Sequence, residues 1–373
     1  MRTALVHDWL TGMRGGEKAL EQICALYPDA DLFTLLHVPG SVSPTVEARR
    51  VHTSLVQRLP MARRFYRHYL PLFPLAIEQF TFDPFDLVVS FSHCVAKSVV
   101  TPGRTRHLCY CFTPMRYAWD QFDAYFGPER VGPIASATLR RVMARMARWD
   151  RGTAGRPNRY LAISQYVARR IRRYYNRQAT IVYPPVDTAF YHADATVPGE
   201  HFLIVSALVP YKRIELAIDA ARRAGARLRI VGDGPERAAL ERLAGAAAGD
   251  SVEFLGRLSN EQVRDQYRCA AAVVLPGEED FGIVPVEAQA CGRPVIALGR
   301  GGALETVVDG ETGVLVAEAS GEAFAAAFER VARTRFDAVR IRSHAERFSD
   351  ARYVREFQAA VDETMAAPAG RRW

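Results

Sequence analysis

Two glutamates, Glu279 and Glu287, stand seven residues apart in the run Pro276-Gly-Glu-Glu-Asp-Phe-Gly-Ile-Val-Pro-Val-Glu-Ala-Gln-Ala-Cys-Gly292. The apolar stretch Ala271–Leu275 before it reads as a buried strand. A helix is expected to begin near Pro285, a residue suited to the first helical position, and to end near Gly292. Glu279 would then lie on the loop and Glu287 in the first helical turn, so that both can face one ligand over a strand end. The amides of Phe281, Gly282, Ile283 and Val284 would point at the same place, because the first N–H groups of a helix lack intrahelical acceptors and its dipole favours negative charge. Carboxylates suit hydroxyls and developing cations, whereas free amides suit phosphate. A sugar attached to a diphosphate needs both.

Positioning such a loop requires a strand on one side and a helix on the other, and the chain supplies that alternation twice. Short buried strands are expected at Thr3–Val6, Leu87–Ser90 and His107–Cys111, with basic helices over 137–150 and 164–176. The pattern restarts after Tyr183-Pro-Pro185. Strands at His201–Ser206, Arg227–Val231, Val252–Leu255, Ala272–Leu275 and Pro294–Ala297 alternate with helices at Ile214–Ala224 and 236–248. Alternation of this kind argues for parallel sheets covered on both faces, with ligands at the strand carboxyl ends. The expected class is α/β, as two doubly wound Rossmann-like domains facing a central cleft. Residues 1–178 would bind acceptor and 179–348 nucleotide, with a helix in 349–373 packing back on the first domain.

The composition fits that class. Of 373 residues, 49% are hydrophobic and 24% charged, which excludes disorder and fibrous repeats. No apolar run reaches the roughly 18–20 residues of a membrane span. The start, Met-Arg-Thr-Ala-Leu-Val-His-Asp8, does not read as a signal peptide, and six cysteines without a C-x-x-C pair read as reduced thiols. The expected location is cytoplasmic. Residues 1–180 hold 26 basic and 13 acidic side chains, net +13, whereas the remainder is net −5. A basic first half beside a slightly acidic second half suggests an anionic partner for the first. Only Lys18, Lys97 and Lys212 are lysines among 49 basic residues.

Other motifs surround the paired glutamates. They are Gly15-Gly-Glu-Lys18, Ser92-His-Cys-Val-Ala-Lys97, Thr113-Pro-Met-Arg-Tyr-Ala-Trp-Asp120, Tyr183-Pro-Pro-Val-Asp187, Val209-Pro-Tyr-Lys-Arg213, Val231-Gly-Asp-Gly-Pro235 and Gly301-Gly-Ala-Leu-Glu-Thr306. In this order, with the two glutamates, the chain resembles the retaining glycosyltransferases of family 4, which have the GT-B fold, and their mannosyltransferase-like branch. The resemblance covers almost the whole chain. It implies transfer of a hexose, with mannose from GDP-mannose favoured, to a saccharide acceptor; the basic aromatic segment 59–74 favours a polyprenyl-linked one, in envelope polysaccharide or glycolipid assembly. It implies neither metal nor cofactor.

Carried over position by position, the resemblance puts Glu279 beside the donor sugar, Glu287 on the ribose and Lys212 on the diphosphate leaving group. Gly15 and Gly16 let backbone approach that diphosphate, and Arg213 and Arg257 support the nucleotide. Arg116 and Lys97 are expected on the acceptor side. Two departures stand out: relatives often carry His where this chain has Phe112, and Arg where it has Ala207. His93 is expected to take part of the missing role. A UDP-hexose donor, or a chain that binds nucleotide sugar or membrane with weak catalysis, stays open on these residues.

Asp29-Ala-Asp31 has the spacing of a metal-binding D-x-D, but it follows a helix and Pro28 and reads as a turn. Gly232-x-Gly234 lacks the third glycine of a dinucleotide fingerprint. No nucleic-acid motif is present. Arg63, Arg64 and Arg67 interleave with Phe65, Tyr66, Tyr69 and Phe73, expected on a helix, and with the basic helix around Arg140, Arg141, Arg145 and Arg148 they suggest peripheral docking on anionic lipid.

Overall fold

The computed structural model describes residues 1–247 and 251–368. The chain divides into two compact units, one made of Met1–Pro185 and the segment from Ala351 onward, the other of Val186–Asp350.

In the first unit, seven strands form a parallel sheet whose inner members are short apolar runs buried on both faces and whose two outermost members are partly exposed. They are β1 (Thr3–His7), β2 (Asp31–Thr34), β3 (Arg50–Thr53), β4 (Leu87–Ser92), β5 (Arg106–Cys111), β6 (Arg159–Ala162) and β7 (Thr180–Ile181). All pair in parallel, in the order β3-β2-β1-β4-β5-β6-β7. The order reverses between β1 and β4, where His7 lies opposite Phe91. That reversal opens a crevice at the strand carboxyl ends. Helix Gln165–Tyr175 shows how local sequence sets its limits: the Ser164 hydroxyl accepts from the Val167 amide at 3.0 Å, and Asn176 ends it in the left-handed region at φ 53°. Helix Asp350–Ala366 lies on the same unit. Its Phe357 ring is 6.1 Å from Phe91 and 5.8 Å from Tyr110, and Glu363 pairs with Arg159 at 2.7 Å.

The second unit repeats the plan with β8 (Phe202–Val205), β9 (Leu228–Val231), β10 (Val252–Gly256), β11 (Ala272–Leu275), β12 (Val295–Leu298) and β13 (Gly313–Val316). Its order is β10-β9-β8-β11-β12-β13, again wholly parallel, with the reversal between β8 and β11. Helices Ile214–Ala224 and Gly321–Arg333 cover one face, and Phe202 stacks on Phe328 with centroids 3.9 Å apart. Burying each such aromatic contributes roughly 1.5–3 kcal/mol.

Three expectations change. The unit boundary falls after Pro185 rather than 178, because β7 joins the first sheet and the Tyr110 hydroxyl donates to Val182 O at 2.9 Å. The basic aromatic segment is a chain of short turns, Leu55–Arg58, Ala62–Phe65, Tyr66–Leu72 and Phe73–Glu78, instead of one helix. Pro60, Pro71 and Pro74 each remove an amide donor and break continuity. The helix expected over 236–248 runs Arg237–Ala247, and residue 248 lies outside the described residues.

Candidate functional site

In the second unit the loops after β8 and β11 meet at the strand reversal. The Lys212 ammonium donates to the Glu279 carboxylate, and both side chains are mostly shielded, 18% and 13% exposed. Close approach of backbone makes this possible. A Cβ on Gly277 would lie 2.7 Å from Lys212 Cα, and one on Gly302 would fall inside the backbone of Phe281. The Gly302 amide donates to Glu279 O at 2.8 Å, which fixes the loop from its other side. Arg213 follows Lys212 at φ 53°, a left-handed conformation that costs a non-glycine residue about 1 kcal/mol or more and recurs at ligand sites. It hands the turn Pro210–Lys212 over to helix Ile214–Ala224.

Helix Ile283–Ala290 begins two residues before Pro285, with Gly282 at φ 87° as its N-cap. Pro285 is still in the first turn, where its missing N–H is one of the donors without an intrahelical partner. Ile283 and Val284 thus lead the helix, while Phe281 is 2% exposed and its ring is 5.5 Å from Phe348. Glu287 departs from expectation. It sits in the second turn, is 5% exposed, and accepts the Tyr267 hydroxyl at 2.9 Å. Its carboxylate is turned into the protein because Tyr267, on helix Asn260–Cys269, brings its hydroxyl to it. Arg257, at the end of edge strand β10, is 82% exposed and 3.6 Å from Asp233.

In the first unit the ends of β1, β4 and β5 bring together His7, His93 and Phe112, beside the Gly15–Gly16 turn that opens helix Gly15–Leu26. A Cβ on Gly16 would come within 3.2 Å of the Phe112 ring and 3.5 Å of His7 Nε2. Asp8 is fully buried, and its two oxygens accept the amides of His93, Cys94, Val95 and Ala96 at 2.7–2.9 Å. Burial raises its pKa, and those amides oppose the rise. His93 Nδ1 is 3.2 Å from Asp8 Oδ2, so it carries the proton and leaves Nε2 as an acceptor. Desolvation first, then the Arg14, Arg67 and Arg116 guanidiniums, push the His93 pKa down to about 3. His7 Nδ1 donates to Trp9 O at 3.0 Å, and burial, then His93, bring its pKa down to about 4. Glu17, whose carboxylate accepts the Arg14 amide at 3.1 Å, is pushed up to about 7 by burial.

Lys97 does not reach this edge. It is 1% exposed, and its ammonium pairs with Asp150 at 2.9 Å, donates to Asp150 O and Thr153, and lies 4.6 Å from the Tyr175 ring centre. It balances a buried carboxylate and has no face to offer an acceptor. Sequence reasoning passed over His7, Asp8, Arg14 and Glu17. The available signal was a polar pair, His7-Asp8, at the end of a buried strand. Among the described residues no group of three or more His, Cys, Asp or Glu side chains is placed to hold a metal ion.

Comparison with known proteins bears on the second unit most directly. Residues 195–350 match the family described as Glycosyl transferases group 1. An uncharacterized glycosyltransferase of Methanocaldococcus jannaschii is 30% identical over 159 residues, 42% of this chain and 45% of that protein. A D-inositol 3-phosphate glycosyltransferase of Geodermatophilus obscurus is 35% identical over 188 residues, 44% of this chain and 41% of that protein. These matches therefore span less than half the length of either curated relative. Among solved structures, sucrose-phosphate synthase from Thermosynechococcus elongatus superposes with a TM-score of 0.72 at 18% identity, covering 98% of this chain and 100% of that one. Anabaena HepE in complex with UDP-glucose gives 0.70 at 17%, covering 97% and 100%. Residues 195–350 thus match the glycosyl transferases group 1 family, within a chain whose fold is GT-B.

Proposed function

We propose that the chain is a retaining, metal-independent glycosyltransferase that moves a hexose, mannose from GDP-mannose in the first reading, to a hydroxyl of a saccharide acceptor. The observation that carries this is the Lys212–Glu279 pair at the strand reversal of the second sheet, inside the region that matches the group 1 family. A diphosphate entering there would take Lys212 as its counter-charge and free Glu279 for the sugar hydroxyls. The bond from the anomeric carbon to the diphosphate oxygen breaks, and its electron pair leaves with the nucleoside diphosphate. The acceptor oxygen bonds to the same face of that carbon, and its proton passes to the departing phosphate oxygen. Lys212 and the first-turn amides of helix Ile283–Ala290 stabilise the charge that develops on the leaving group. Glu279 and Glu287 do not act as a glycosidase pair, since Glu287 is turned inward.

Anabaena HepE, which shares the fold, is solved in complex with UDP-glucose, and this makes a UDP-hexose donor the second reading. Thermal stabilisation by GDP, UDP, GDP-mannose, UDP-glucose and NAD at equal concentration separates these. A ligand at a hundredfold excess over its Kd adds about 2.7 kcal/mol to stability. A shift with GDP compounds alone supports the first reading and a UDP-selective shift the second. No shift with any nucleotide sugar leaves a chain without transferase chemistry.

The acceptor is read as lipid-linked, with docking on the inner face of the cell membrane through Arg63, Arg64, Arg67 and the exposed Met61, Phe65, Leu72 and Leu75. No helix among the described residues is long and apolar enough to cross a membrane. Arg63/Arg64/Arg67→Ser, folded and active on soluble acceptor, should lose binding to vesicles containing phosphatidylglycerol, and unchanged binding would remove this part of the reading.

A further inference from the structure

The amino edge of the second sheet carries a groove that the proposed chemistry leaves unused. It holds about 1050 Å³, at the upper end of the range of small-molecule sites. Phe202, which begins β8, and Pro294, which precedes β12, both line it. It therefore opens at the strand ends opposite to those that carry Lys212 and Glu279. Phe202, Phe328 and Val331 are at most 7% exposed and form an apolar floor, and Phe336 packs on the same core. Small residues along it, Ala224, Gly225, Ala226 and Ala332, leave the groove wide.

One charge is shut in beside those rings. Arg293 lines the groove and is 8% exposed. Its Nη2 donates to Thr196 O at 2.8 Å, and Thr196 lines the groove too, so the guanidinium lies at the groove wall. Among the described residues its side chain has no other hydrogen bond and no ion pair, and its buried Nε is unpartnered. The acids of the groove are held by other groups. Asp194 acts on Arg293 electrostatically, but it pairs with Arg268 at 3.0 Å and accepts the Thr196 amide at 2.8 Å. Glu329 pairs with Arg333 at 3.1 Å. Glu200 and Arg227 lie exposed at the mouth and offset each other in sign. Nor does Arg293 serve as a helix cap. The helix ends that border the groove are paired from elsewhere: Ala221 O accepts the Ala226 amide at 2.9 Å, Ala290 O accepts Arg342 at 2.9 Å, and Arg330 O accepts the Thr334 hydroxyl at 2.7 Å. A shielded guanidinium without a carboxylate asks for one, because burying a charge is unfavourable unless it is paired.

We propose that this groove binds an apolar carboxylate, with the acid group on Arg293 and the hydrocarbon body on Phe202, Phe328 and Phe336. A carboxylate accepts guanidinium N–H groups two at a time, which supplies the missing counter-charge in a fixed orientation. A sugar would leave hydroxyls unpaired against the rings, and a small inorganic anion would leave the rings uncovered. The groove meets helix Ile283–Ala290 at its carboxyl end, through Cys291–Pro294, whereas the first-turn amides of that helix belong to the opposite edge. The site is thus separate from the nucleotide edge and does not rest on the transferase reading.

Isothermal titration calorimetry on the full chain tests this with octanoate and 2-naphthoate as probes. Their neutral counterparts, octanol and 2-naphthalenemethanol, and acetate, an acid without a body, are the controls. At least one of the two acids should bind at a single site, with its alcohol about tenfold or more weaker, the usual worth of a hydrogen bond to a charged group. Acetate should give no heat of binding at the same concentration. Arg293→Met keeps a long apolar stem and should bring acid and alcohol to equal affinity. Ala332→Trp, at an exposed position, keeps Arg293 and should weaken both by filling the groove. Tighter binding of octanoate identifies an acyl chain as the body and tighter binding of 2-naphthoate an aromatic one; both support the site. Acid and alcohol bound alike by the parent, an acid preference undiminished in Arg293→Met, or no binding of either acid overturns it. Circular dichroism checks that each variant is folded. Should Arg293→Met fail to fold, the acid preference of the parent and its weakening in Ala332→Trp decide alone. Lys212→Ala should leave the binding of both acids intact. A chain that fails the nucleotide experiment but binds an acid here loses the transferase reading and keeps the site.

Discussion

The two sheets are near copies in plan: each runs in parallel, each reverses at its centre, and each opens its crevice at the strand carboxyl ends. Their edges differ in where charge is settled. In the second unit, acid and base face each other, Glu279 on Lys212, and loops held by close backbone contact keep them there. In the first, the acids are sunk beneath the surface on backbone amides, and the imidazoles of His7 and His93 beside them are held neutral by burial. A crevice that neutralises itself must exchange partners when a ligand arrives, so its ligand has to carry both charge and hydroxyls. A crevice whose acids already hold backbone amides keeps those bonds when a ligand arrives. One scaffold thus supports two kinds of recognition, and the difference is written in a handful of side chains.

Substituting the deepest acid tests the comparison most severely. Asp8→Asn should lower stability by about 4 kcal/mol, because a neutral amide can accept for only part of the turn His93–Ala96 and leaves buried N–H groups unpaired, at about 1–3 kcal/mol each. Denaturant unfolding measures it. Nucleoside diphosphate affinity should hold, since Asp8 faces inward. Unchanged stability with lost ligand binding would turn Asp8 into a ligand residue and break the contrast between the two edges.

The paired edge should respond in rate instead. Glu279→Gln and Lys212→Ala should each reduce kcat by at least two orders of magnitude, about 3 kcal/mol in the barrier. The double variant should cost less than the sum, because the two side chains share one ion pair. Steady-state kinetics with the donor identified by thermal stabilisation checks this. Near-wild-type turnover in both single variants would remove the pair from the reaction.

How much of this was legible in the sequence follows from the range of the interactions involved. Most inner strands were readable because each is a short apolar run bounded by turn residues, a property of immediate neighbours, whereas β2, β3, β6, β7 and β13 were not read as strands. Glu279 and Lys212 were readable as residues of one loop each, although their mutual pairing is a matter of strand order. Glu287 was placed correctly on its helix but read in the wrong direction, since Tyr267 comes from another helix twenty residues away. Lys97 failed for the same reason: its partner Asp150 is fifty-three residues on, and a motif cannot show that an ammonium is walled in. His7-Asp8 carried no local signal beyond polarity after a strand, and the amides that Asp8 serves belong to the loop after β4. The segment 59–74 could have been read better, since its three prolines were visible and forbid one continuous helix.

The smallest effect separates the edges by pH. Burial raises the Glu17 pKa to about 7 from its ordinary 4.5. Below pH 4.5 both folded and unfolded chains hold that proton, and its burial costs nothing. Between about 4.5 and 7 the unfolded chain has released it while the folded chain keeps it, so folding weakens as pH rises, and above 7 the loss is constant. A rise of that size corresponds to about 3 kcal/mol. A glutamine in place of Glu17 cannot titrate and can still accept the Arg14 amide. Glu17→Gln should therefore match the parent at pH 4 and exceed it by that amount at pH 8. His7 and His107 act in the opposite sense: held neutral by burial with pKa values near 4 and 3, they remove stability as pH falls below about 6.5 in parent and variant alike. The difference between the two stability curves therefore isolates Glu17. A difference that is flat across pH 4–8 would mean that the carboxyl is solvated. The acids of the first edge would then not all be sunk, and the contrast with the paired edge would fail.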